Sequence, residues 1–445
     1  MFIKKPIRGR SNEYNGGYKM KEILFLIYDF IFCLGLMIYL PLHLYRKKMT
    51  PLALREKLGL INIGKIRNSI WIQVVSVGEA NLIGDLIRRL RESQDLPIII
   101  STTTLTGNRI AKKQYSHLAK VIFFPFDLSV ILERVIRMIK PKVFIAVETE
   151  IWPNLFYRLK KKNIPIVIIN GRISDKAFKH YCWIRPFMRG VLRKCDYVGV
   201  QNSLYKERFL FLGADPRRIV ISGNMKFESI LIDQDRLRQK QEKYRVTLKK
   251  DGNKLLVAAS THEPEEELLI DIYKDIFKSP GGITLIIAPR HPERTPKIEK
   301  LIRLASFNPV RMSKVNENLG DKRNIFIADT VGELLYYYSI ADICFVGGSL
   351  SKNGGHNILE PIYFHKPTVF GPNMDNFLDI EEIVLEKGAG IKVRSREELA
   401  EVLLGLVSDT ALKNTLDSRC REVFEGEKKS LGNNLNIILK CLSES

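Results

Sequence analysis

The amino-acid sequence predicts an α/β fold built from two doubly wound units, and three observations support this prediction. The chain has 445 residues, which is more than one ordinary hydrophobic core accommodates. Short, nearly continuous apolar segments alternate with stretches of helical periodicity, a pattern typical of parallel sheets that helices cover on both faces. The alternation occurs twice, before and after a charged stretch at residues 233–251. We interpret this stretch as the region of the domain junction.

The first series contains seven predicted strands. They are apolar, rich in β-branched residues and separated mostly by helical stretches. They cover residues 69–77, 96–100, 121–126, 142–147, 164–169, 196–200 and 219–222. An amphipathic helix is predicted to follow the first strand as far as Arg91.

The second series contains five predicted strands and ends in a helix. The strands cover residues 254–259, 284–288, 325–328, 343–346 and 368–370, and the helix covers residues 431–442. The sequence therefore predicts an N-terminal segment at residues 1–46, two domains at residues 47–224 and 225–430, and a C-terminal helix at residues 431–445.

Residues 23–42 (ILFLIYDFIFCLGLMIYLPL) form an apolar segment with one charge, Asp29. As a helix this segment would be roughly 30 Å long, about the thickness of a bilayer core. A signal peptide is disfavoured, because the apolar run is too long and the basic residues Arg46, Lys47 and Lys48 follow it instead of a small-residue cleavage site. We expect a membrane anchor that either spans the bilayer or lies in its interface; a buried core helix is the alternative.

Basic residues lie on both sides of this segment, so its orientation depends on where translation begins. A start at Met20 would leave only Lys21 before the segment. The positive-inside rule would then place the catalytic domains in the cytoplasm, held at the inner membrane by one N-terminal anchor.

Charge and cysteine content narrow the class of protein. Lys and Arg number 71 against 49 Asp and Glu, a formal net charge of +22, which favours polyanionic partners, an anionic membrane face or phosphorylated substrates. The basic residues are spread along the chain without a basic tail. The six cysteines form no CxxC pair, so their spacing indicates neither a zinc site nor a small disulfide framework.

Acidic residues follow two predicted strands of the first series, where ligands of open α/β sheets bind. Glu79 follows Gly78 at the start of a helix, and favourable interaction with the helix dipole alone explains many such acids. Glu148 and Glu150 follow the fourth strand. If that strand continues, the two acids share one face; the alternative is a solvated strand end.

Basic and glycine-rich junctions mark the second series. Arg290 and His291 end a strand and suit an anionic ligand, although a basic surface turn is the alternative. In residues 345–360 (FVGGSLSKNGGHNILE), paired glycines precede a helix start, which favours close approach of a ligand over an idle flexible loop. Lys226 alone indicates no more than a surface residue. The DxD at residues 233–235 lies in the charged junction, so we do not interpret it as a metal site.

Seven motifs together resemble one family. They are VSVGE, ETEIWPN, GNMKF, STHEPEE, PRHPER, GGSLSKNGGHNILEP and FGPNMDNF. They occur in the same order in the 3-deoxy-D-manno-octulosonic acid (Kdo) transferases of lipopolysaccharide assembly, and the resemblance extends from about residue 47 to near the C-terminus. It implies the GT-B fold: two Rossmann-like domains that face each other across a cleft, the first binding the acceptor and the second the nucleotide sugar, with an N-terminal membrane segment.

The resemblance also implies roles for individual residues. Glu79 matches the general base that deprotonates the acceptor hydroxyl, and Glu148 and Lys226 match residues that support the transition state. The matches to donor contacts are Arg290, His291, Val331, Gly332, Glu333, Asn357, Ile358, Leu359 and Glu360. Further candidates without a matched role are Glu150, Gly347, Gly348, Ser349, Gly354 and Gly355.

The implied reaction is inverting transfer of Kdo from CMP-Kdo to a hydroxyl of a lipid A precursor, a phosphorylated, acylated disaccharide, without metal or cofactor. The expected partners are these two substrates and the membrane lipid surface, and no nucleic acid. One alternative is a GT-B enzyme with another nucleotide sugar; the other is a basic, membrane-tethered protein that binds polyanions without catalysis. The motifs leave open the number and linkage of the Kdo residues transferred and the oligomeric state.

Overall fold

The chain folds into two compact units, seen in a computed structural model that describes residues 12–45, 49–64, 66–228, 230, 232–249, 253–277, 282–315, 323–425 and 429–444. Unit 1 comprises Met1–Ser229 with Lys429–Ser445, and unit 2 comprises Ile230–Lys428. Each unit contains a seven-stranded parallel sheet, which confirms the predicted α/β class. The basic run Arg46, Lys47 and Lys48 lies outside the described residues.

Unit 1 alternates strands and helices after a long N-terminal helix. Its elements are, in chain order, α1 (Asn12–Tyr45), α2 (Pro51–Lys57), β1 (Ser69–Val74), α3 (Val77–Leu82), α4 (Gly84–Ser93), β2 (Ile98–Thr102), α5 (Leu105–Tyr115), β3 (Ala119–Phe123), α6 (Ser129–Ile139), β4 (Pro141–Val147), α7 (Pro153–Lys161), β5 (Ile166–Gly171), α8 (Asp175–Trp183), α9 (Arg185–Leu192), β6 (Tyr197–Val200), α10 (Ser203–Leu212) and β7 (Ile219–Ile221). A 3-10 helix, Met225–Glu228, follows. The strand order is β3-β2-β1-β4-β5-β6-β7, which is a doubly wound sheet.

Unit 2 repeats this plan. Its elements are α11 (Gln234–Leu248), β8 (Lys254–Thr261), α12 (Glu265–Ile276), β9 (Ile283–Pro289), α13 (Thr295–Leu304), β10 (Asn308–Arg311), β11 (Asn324–Ile327), α14 (Leu334–Ile340), β12 (Ile343–Val346), α15 (Leu359–Tyr363), β13 (Thr368–Phe370), α16 (Leu378–Glu386), β14 (Ile391–Lys392), α17 (Arg396–Ser408) and α18 (Thr410–Glu425). Short 3-10 helices, Pro292–Arg294 and Met312–Lys314, follow β9 and β10. The strand order is β10-β11-β9-β8-β12-β13-β14.

The last helix, α19 (Ser430–Ser443), belongs to unit 1. Its Asn434 accepts a hydrogen bond from the backbone N–H of Asn170 in β5 (3.1 Å), and its apolar face joins the core beneath β1 and β4. Lys226 also lies in unit 1, although the predicted bounds assign it to the second domain. Unit 1 is thus built from two segments distant in sequence.

Both faces of the central strands are buried, as the continuous apolar runs predict. Along β1, Ile70 and Ile72 enter one core cluster while Trp71 enters the other. Alternate side chains of a strand point to opposite faces, so helices must cover both sides of the sheet. Gln73 continues the Trp71 side and is fully buried, which places an amide at the end of an otherwise apolar face.

Several predicted boundaries shift. The first predicted strand ends at Val74, because Ser76 caps the following helix. The single helix predicted through Arg91 is two helices, α3 and α4, that meet at Ile83. The charged stretch forms α11, whose N-cap Asp233 accepts hydrogen bonds from the backbone N–H groups of residues 235 and 236 (3.0 and 3.1 Å). The first acid of the DxD is therefore a helix cap.

The apolar N-terminal segment forms α1 as predicted. Within it, Phe25–His43 has a mean hydropathy of 2.1 over 19 residues, so this helix is long and apolar enough to cross a membrane. By length and composition the segment therefore qualifies as an anchor, and its contacts with unit 1 are described below.

Candidate active site

The acidic residues of unit 1 gather at the carboxyl ends of β1 and β4. These adjacent strands form the switch point of the sheet, where the chain continues in opposite directions; open α/β sheets bind their ligands at such points. Glu79 follows β1, and Glu148 and Glu150 follow β4. Burial, and then the charges of Glu148 and Glu150, raise the pKa of Glu79. Three acids predicted from two parts of the sequence thus lie close enough to interact electrostatically.

Glu79 is held by the cap of its own helix. Its carboxylate accepts a hydrogen bond from the backbone N–H of Val75 (2.7 Å) and another from Ser76 Oγ (3.1 Å), while Ser76 Oγ accepts one from the Glu79 N–H (3.3 Å). This resembles a capping box. Even so, burial and the neighbouring acids raise the pKa of Glu79 to about 8. Capping therefore fixes the carboxylate in place, and its raised proton affinity suits a general base.

Glu148 occupies a strained position beside two cations. It has a φ of +61°, a left-handed conformation that is uncommon for Glu and clusters at functional sites. Its buried carboxylate accepts a hydrogen bond from Arg172 Nε (2.7 Å) and lies 3.9 Å from Lys226 Nζ. The strand ends at Val147. The left-handed turn, and not strand alternation, sets the direction of Glu148.

Glu150 lies among polar aromatic and amide groups. Its Oε2 accepts hydrogen bonds from Trp152 Nε1 (2.8 Å) and Gln73 Nε2 (3.4 Å). Burial raises the pKa of Glu150 to about 7, although both hydrogen bonds oppose this shift. The structure therefore places Glu150 at the same sheet edge as Glu79, in a separate hydrogen-bond network.

Two residues of this cluster were missed in the sequence. Arg172 comes directly after β5, so the strand-end criterion that selected the acids would have found it. Gln73 breaks the apolar run SIWIQVV, and a buried amide within a strand needs a hydrogen-bond partner. In both cases an acidic partner lies in the loop after β4, and the sequence alone does not identify this pairing.

In unit 2, Glu265 connects the two loops at the switch point between β8 and β12. The side chain is 1% exposed. Its carboxylate accepts hydrogen bonds from four backbone N–H groups: those of His262 (2.9 Å), Gly348 (2.8 Å), Leu350 (2.9 Å) and Ser351 (3.3 Å). The glycine loop after β12 is thereby fastened to the loop after β8. Glu265 belongs to the STHEPEE motif but was not predicted as a site residue.

The first glycine pair is required by this close packing. A Cβ on Gly347 would lie 2.6 Å from Glu265 Oε2, and a Cβ on Gly348 would lie 2.8 Å from the His356 ring. Gly348 also has a φ of +68°, which favours glycine. The idle-loop alternative therefore does not hold for this pair.

The rest of the loop is also fixed by close contacts. Ser349 Oγ donates to the Val346 carbonyl (2.6 Å) and accepts from the Gly371 N–H (2.8 Å). Gly354 and Gly355 adopt φ angles of +78° and +69°. These contacts and backbone angles define the conformation of the loop between β12 and α15.

Three histidines cluster at the same edge of unit 2. His262 and His356 approach through their Nε2 atoms (2.9 Å), with rings inclined by 5°, and His291 meets His262 edge-on at 5.7 Å. Burial, and then the proximity of His262, lower the pKa of His356 to about 4, and burial also lowers the pKa of His262. At neutral pH these two rings are therefore uncharged, and one donates a hydrogen bond to the other.

Asn357 and Glu360 shape the start of α15. Asn357 Oδ1 accepts a hydrogen bond from the Leu359 N–H (3.1 Å), and its Nδ2 donates to Glu360 Oε1 (3.2 Å). Burial raises the pKa of Glu360 to about 7, opposed by the bond from Asn357 and by the nearby charge of Arg290. Arg290 also lowers the pKa of His356, after burial and His262. The predicted donor residues Arg290, Asn357 and Glu360 thus form one electrostatic neighbourhood with the histidines.

The predicted turn at Val331, Gly332 and Glu333 has different surroundings. Glu333 accepts hydrogen bonds from Tyr244 Oη (2.6 Å) and pairs with Lys240 (2.9 Å), both in α11. Val331 is 87% exposed. Glu333 therefore joins the turn to α11 and leaves Val331 on the surface. Within the described ranges, no three His, Cys, Asp or Glu side chains form a group suited to hold a metal ion.

Comparison with known proteins finds a matching family model and similar transferases. A family model described as "3-Deoxy-D-manno-octulosonic-acid transferase (kdotransferase)" matches residues 53–229. A 3-deoxy-D-manno-octulosonic acid transferase of Haemophilus influenzae is 33% identical over 353 residues, covering 79% of this chain and 81% of the relative. A bifunctional glycosyltransferase/methyltransferase of Fusobacterium nucleatum is 36% identical over 374 residues, covering 83% of this chain but 56% of the relative.

Among solved structures, a UDP-GlcNAc 2-epimerase of Neisseria meningitidis has a similar fold. The TM-score is 0.56 at 13% identity, and the match covers 85% of this chain and 100% of that one. Such a likeness concerns the fold alone. Together with the two seven-stranded parallel sheets, it supports a GT-B type of α/β fold.

Proposed function

The chain belongs to the Kdo transferase family, and from this premise we propose that it transfers Kdo from CMP-Kdo to a hydroxyl group of a lipid A precursor during lipopolysaccharide synthesis. One observation carries the proposal. At the switch point of unit 1, a buried carboxylate with a raised pKa, Glu79, is fixed by a backbone N–H and a hydroxyl. An inverting transfer needs one such base.

In this mechanism Glu79 accepts the proton of the acceptor hydroxyl. The freed oxygen forms a bond to the anomeric carbon of Kdo while the bond from that carbon to the phosphate oxygen of CMP breaks, so CMP leaves with the electron pair. A pKa near the working pH favours such proton transfer. The neighbouring charges of Glu148 and Glu150 raise the proton affinity of Glu79 further than burial alone does.

Glu148 and Lys226 support the transition state in this proposal, and Arg172 joins them. Glu148 holds Arg172 through a 2.7 Å hydrogen bond and lies 3.9 Å from Lys226. Kdo is a sugar acid and carries its own carboxylate, which two cations at the switch point would balance. Glu148 would then act by orienting these cations while its charge prevents excess positive charge in the crevice.

Unit 2 would bind the donor. Arg290 suits the phosphate of CMP, because a guanidinium can donate two parallel hydrogen bonds, and Asn357 to Glu360 and His291 lie in the same region of the unit. Val331, Gly332 and Glu333 are assigned to the donor by family resemblance. In the glycine loop, the N–H groups of Gly348, Leu350 and Ser351 already serve Glu265. Those three N–H groups therefore shape the site and are not available to a phosphate.

We further propose that the enzyme works at the inner membrane with its two units in the cytoplasm. The apolar helix α1 would hold it at the lipid surface where the acceptor resides. The net charge of +22 suits a phosphorylated acceptor and an anionic membrane.

The direct test is to incubate the full chain with CMP-Kdo and a phosphorylated, acylated lipid A precursor, and to measure released CMP and product mass. We expect CMP release that depends on the acceptor, and a product heavier by one or more Kdo residues. Parallel reactions with UDP-sugars should give no product. Transfer from a UDP-sugar, or salt-sensitive polyanion binding without any transfer, would overturn the proposal.

A further inference from the structure

One face of α1 contacts unit 1 along most of the apolar segment. At its start, Phe25 stacks on Tyr157 with ring centroids 4.2 Å apart. Toward its end, Phe32, Leu36 and Leu40 pack against a cluster formed by Met49, Ala53, Phe123 and Phe126. The contact therefore extends over about 22 Å of helix, given the rise per residue.

Asp29 is the polar centre of this contact. Its Oδ1 accepts hydrogen bonds from Asn154 Nδ2 (2.6 Å) and from the backbone N–H of Ser129 (3.1 Å). Asn154 also donates to the Asp127 carbonyl (2.7 Å). The one charge of the apolar segment is therefore satisfied by the first turns of α6 and α7.

The opposite face of α1 is apolar and exposed. Its side chains show exposures of 47–76% in the described structure: Leu26, Ile27, Phe30, Ile31, Leu34, Met37 and Ile38. An apolar surface of this length calls for a lipid or protein partner. Nearby, a cavity of about 600 Å³ beside Phe25 is lined by Arg189, Arg193 and Lys194. An exposed apolar helix face, with cations close to the docked end of the same helix, suits an anionic lipid surface.

We propose that α1 lies in the plane of one membrane leaflet instead of crossing the bilayer, with its Asp29 face docked on unit 1 and its opposite face in lipid. The inference deepens the proposed membrane location and does not depend on the transfer chemistry.

The length of the docked face argues against a spanning helix. In a spanning α1, Phe25 and Leu40 would lie near opposite sides of the hydrocarbon core, which is about 30 Å thick. The segments that contact them, including the helix starts bonded to Asp29, would then also have to enter lipid. Non-helical backbone exposed to lipid does not occur within the hydrocarbon region. A spanning helix would thus have to leave unit 1 and expose Asp29 to hydrocarbon, which is unfavourable.

The topology of the full chain tests the proposal directly. Epitopes placed at the N-terminus and the C-terminus, each behind a protease site, are probed in sealed inside-out inner-membrane vesicles and in spheroplasts. We expect both epitopes to be cleaved in the vesicles and both to be protected in spheroplasts. An N-terminal epitope cleaved only in spheroplasts would overturn the proposal, as would recovery of the chain in the soluble fraction.

Variants of Asp29 test whether its two hydrogen bonds hold α1 against the rest of unit 1. Asp29→Leu removes both hydrogen bonds, and we expect at least a tenfold rise in the fraction of N-terminal epitope that is protected in inside-out vesicles. Asp29→Asn keeps Oδ1 as an acceptor and should retain the native topology. Gly35→Leu is the matched control, because it adds similar hydrophobicity at a position where an added Cβ meets no atom within 4 Å. If the N-terminal epitope were protected equally in Asp29→Leu and Gly35→Leu, the hydrogen bonds of Asp29 would not determine the position of α1.

Ile38→Asp tests what covers the outer face, since Ile38 is 76% exposed. We expect at least fivefold weaker flotation with vesicles of phosphatidylglycerol and phosphatidylethanolamine. The mass of the purified chain in detergent, measured by light scattering, should stay the same. A drop from dimer to monomer mass would show that a second copy covers this face and would overturn the proposal. Transfer activity with a soluble acceptor, measured alongside, separates failure of this inference from failure of the proposed function.

Discussion

Glu79 and Glu265 occupy corresponding places in the two units, yet their surroundings differ. Each comes after the first strand of its unit and lies in the first turn of the next helix, beside the switch point. Glu79 accepts one backbone N–H and one hydroxyl, whereas Glu265 accepts four backbone N–H groups. A carboxylate has about four lone-pair sites. Glu265 is therefore saturated and holds loops together, while Glu79 keeps capacity to accept a proton.

The same contrast extends to the neighbours of each residue. Acids surround Glu79 and, after burial, raise its pKa. In unit 2, burial and then the proximity of His262 lower the pKa of His356, which leaves Arg290 as a cation near an uncharged His356 ring. One sheet edge thus suits proton transfer and the other suits an anionic ligand, although their topology is the same.

Glu79→Gln tests the catalytic side of this comparison and has the largest expected effect. The amide keeps an acceptor for the Val75 N–H but cannot take a proton, so we expect turnover to fall by about 10²- to 10⁴-fold. The free energy of unfolding should change by less than about 1 kcal/mol, because the cap persists. The assay is CMP release with acceptor present, alongside denaturant unfolding. Glu92→Gln, at an exposed position of α4, is the matched control. Retention of normal turnover would remove Glu79 from the mechanism.

Glu265→Gln tests the structural side. An amide N–H₂ would face backbone N–H groups, so at least two of the four bonds are lost, and bonds to charged groups contribute about 1.5–3 kcal/mol each. We expect the free energy of unfolding to fall by about 3 kcal/mol or more, and donor KM to rise, with a smaller change in kcat than Glu79→Gln causes. Denaturant unfolding and donor titration check this. An unchanged stability combined with lost turnover would reverse the roles assigned to the two acids.

The pH dependence of kcat/KM should follow the ionisation of Glu79 in unit 1. Glu79 must be ionised to act as a base and its pKa is raised to about 8, so kcat/KM should rise with pH and level off above about 8. At pH 6 it should be about 100-fold below the plateau, a factor of ten per unit. The stability of the fold changes with pH in the opposite direction. Between the ordinary pKa of Glu and the raised pKa of Glu79, the folded state binds more protons than the unfolded state. The contribution of Glu79 to stability therefore declines as the pH rises through this interval to about 8. A flat profile of kcat/KM between pH 6 and 9 would contradict the assignment.

Much of the fold follows from the sequence because its central strands are buried on both faces. All twelve predicted strands have counterparts in the structure, but β10 and β14 were missed. The first is NPVR and the second has two residues; both are edge strands, which carry no continuous apolar run. The polar helix α11 was also missed, because it buries only a few residues, chiefly Leu237, Tyr244 and Leu248.

Site residues could be predicted from the sequence where they come directly after a predicted strand. Glu79 and Glu148 follow apolar strands, so they could be selected from the sequence. Arg172 and Glu265 act through partners on neighbouring strands or loops, and sheet order brings these together only in the folded chain. The left-handed backbone of Glu148 likewise leaves no trace in the residue pattern. Hydrogen-bond saturation, which distinguishes Glu265 from Glu79, is a property of three-dimensional contacts.

Glu150→Gln has the smallest expected effect and sharpens the comparison most. Glu150 raises the pKa of Glu79 through its charge, after burial, Glu148 and the opposing bond from Val75. The amide keeps an acceptor for Trp152 Nε1, so its main consequence is the loss of that charge. We expect the rising part of the kcat/KM profile to shift to lower pH by less than one unit. The plateau value at pH 9 should stay within about twofold.

The direction of this shift distinguishes two roles for Glu150. If Glu150 only tunes Glu79, kcat/KM near pH 7 rises several-fold, because a lower pKa leaves more Glu79 ionised there. The gain must shrink toward pH 6, since burial raises the pKa of Glu150 itself to about 7, and a protonated Glu150 exerts no charge. A plateau that drops tenfold or more would instead place Glu150 in proton transfer. An unshifted profile would mean that burial and Glu148 alone set the proton affinity of Glu79.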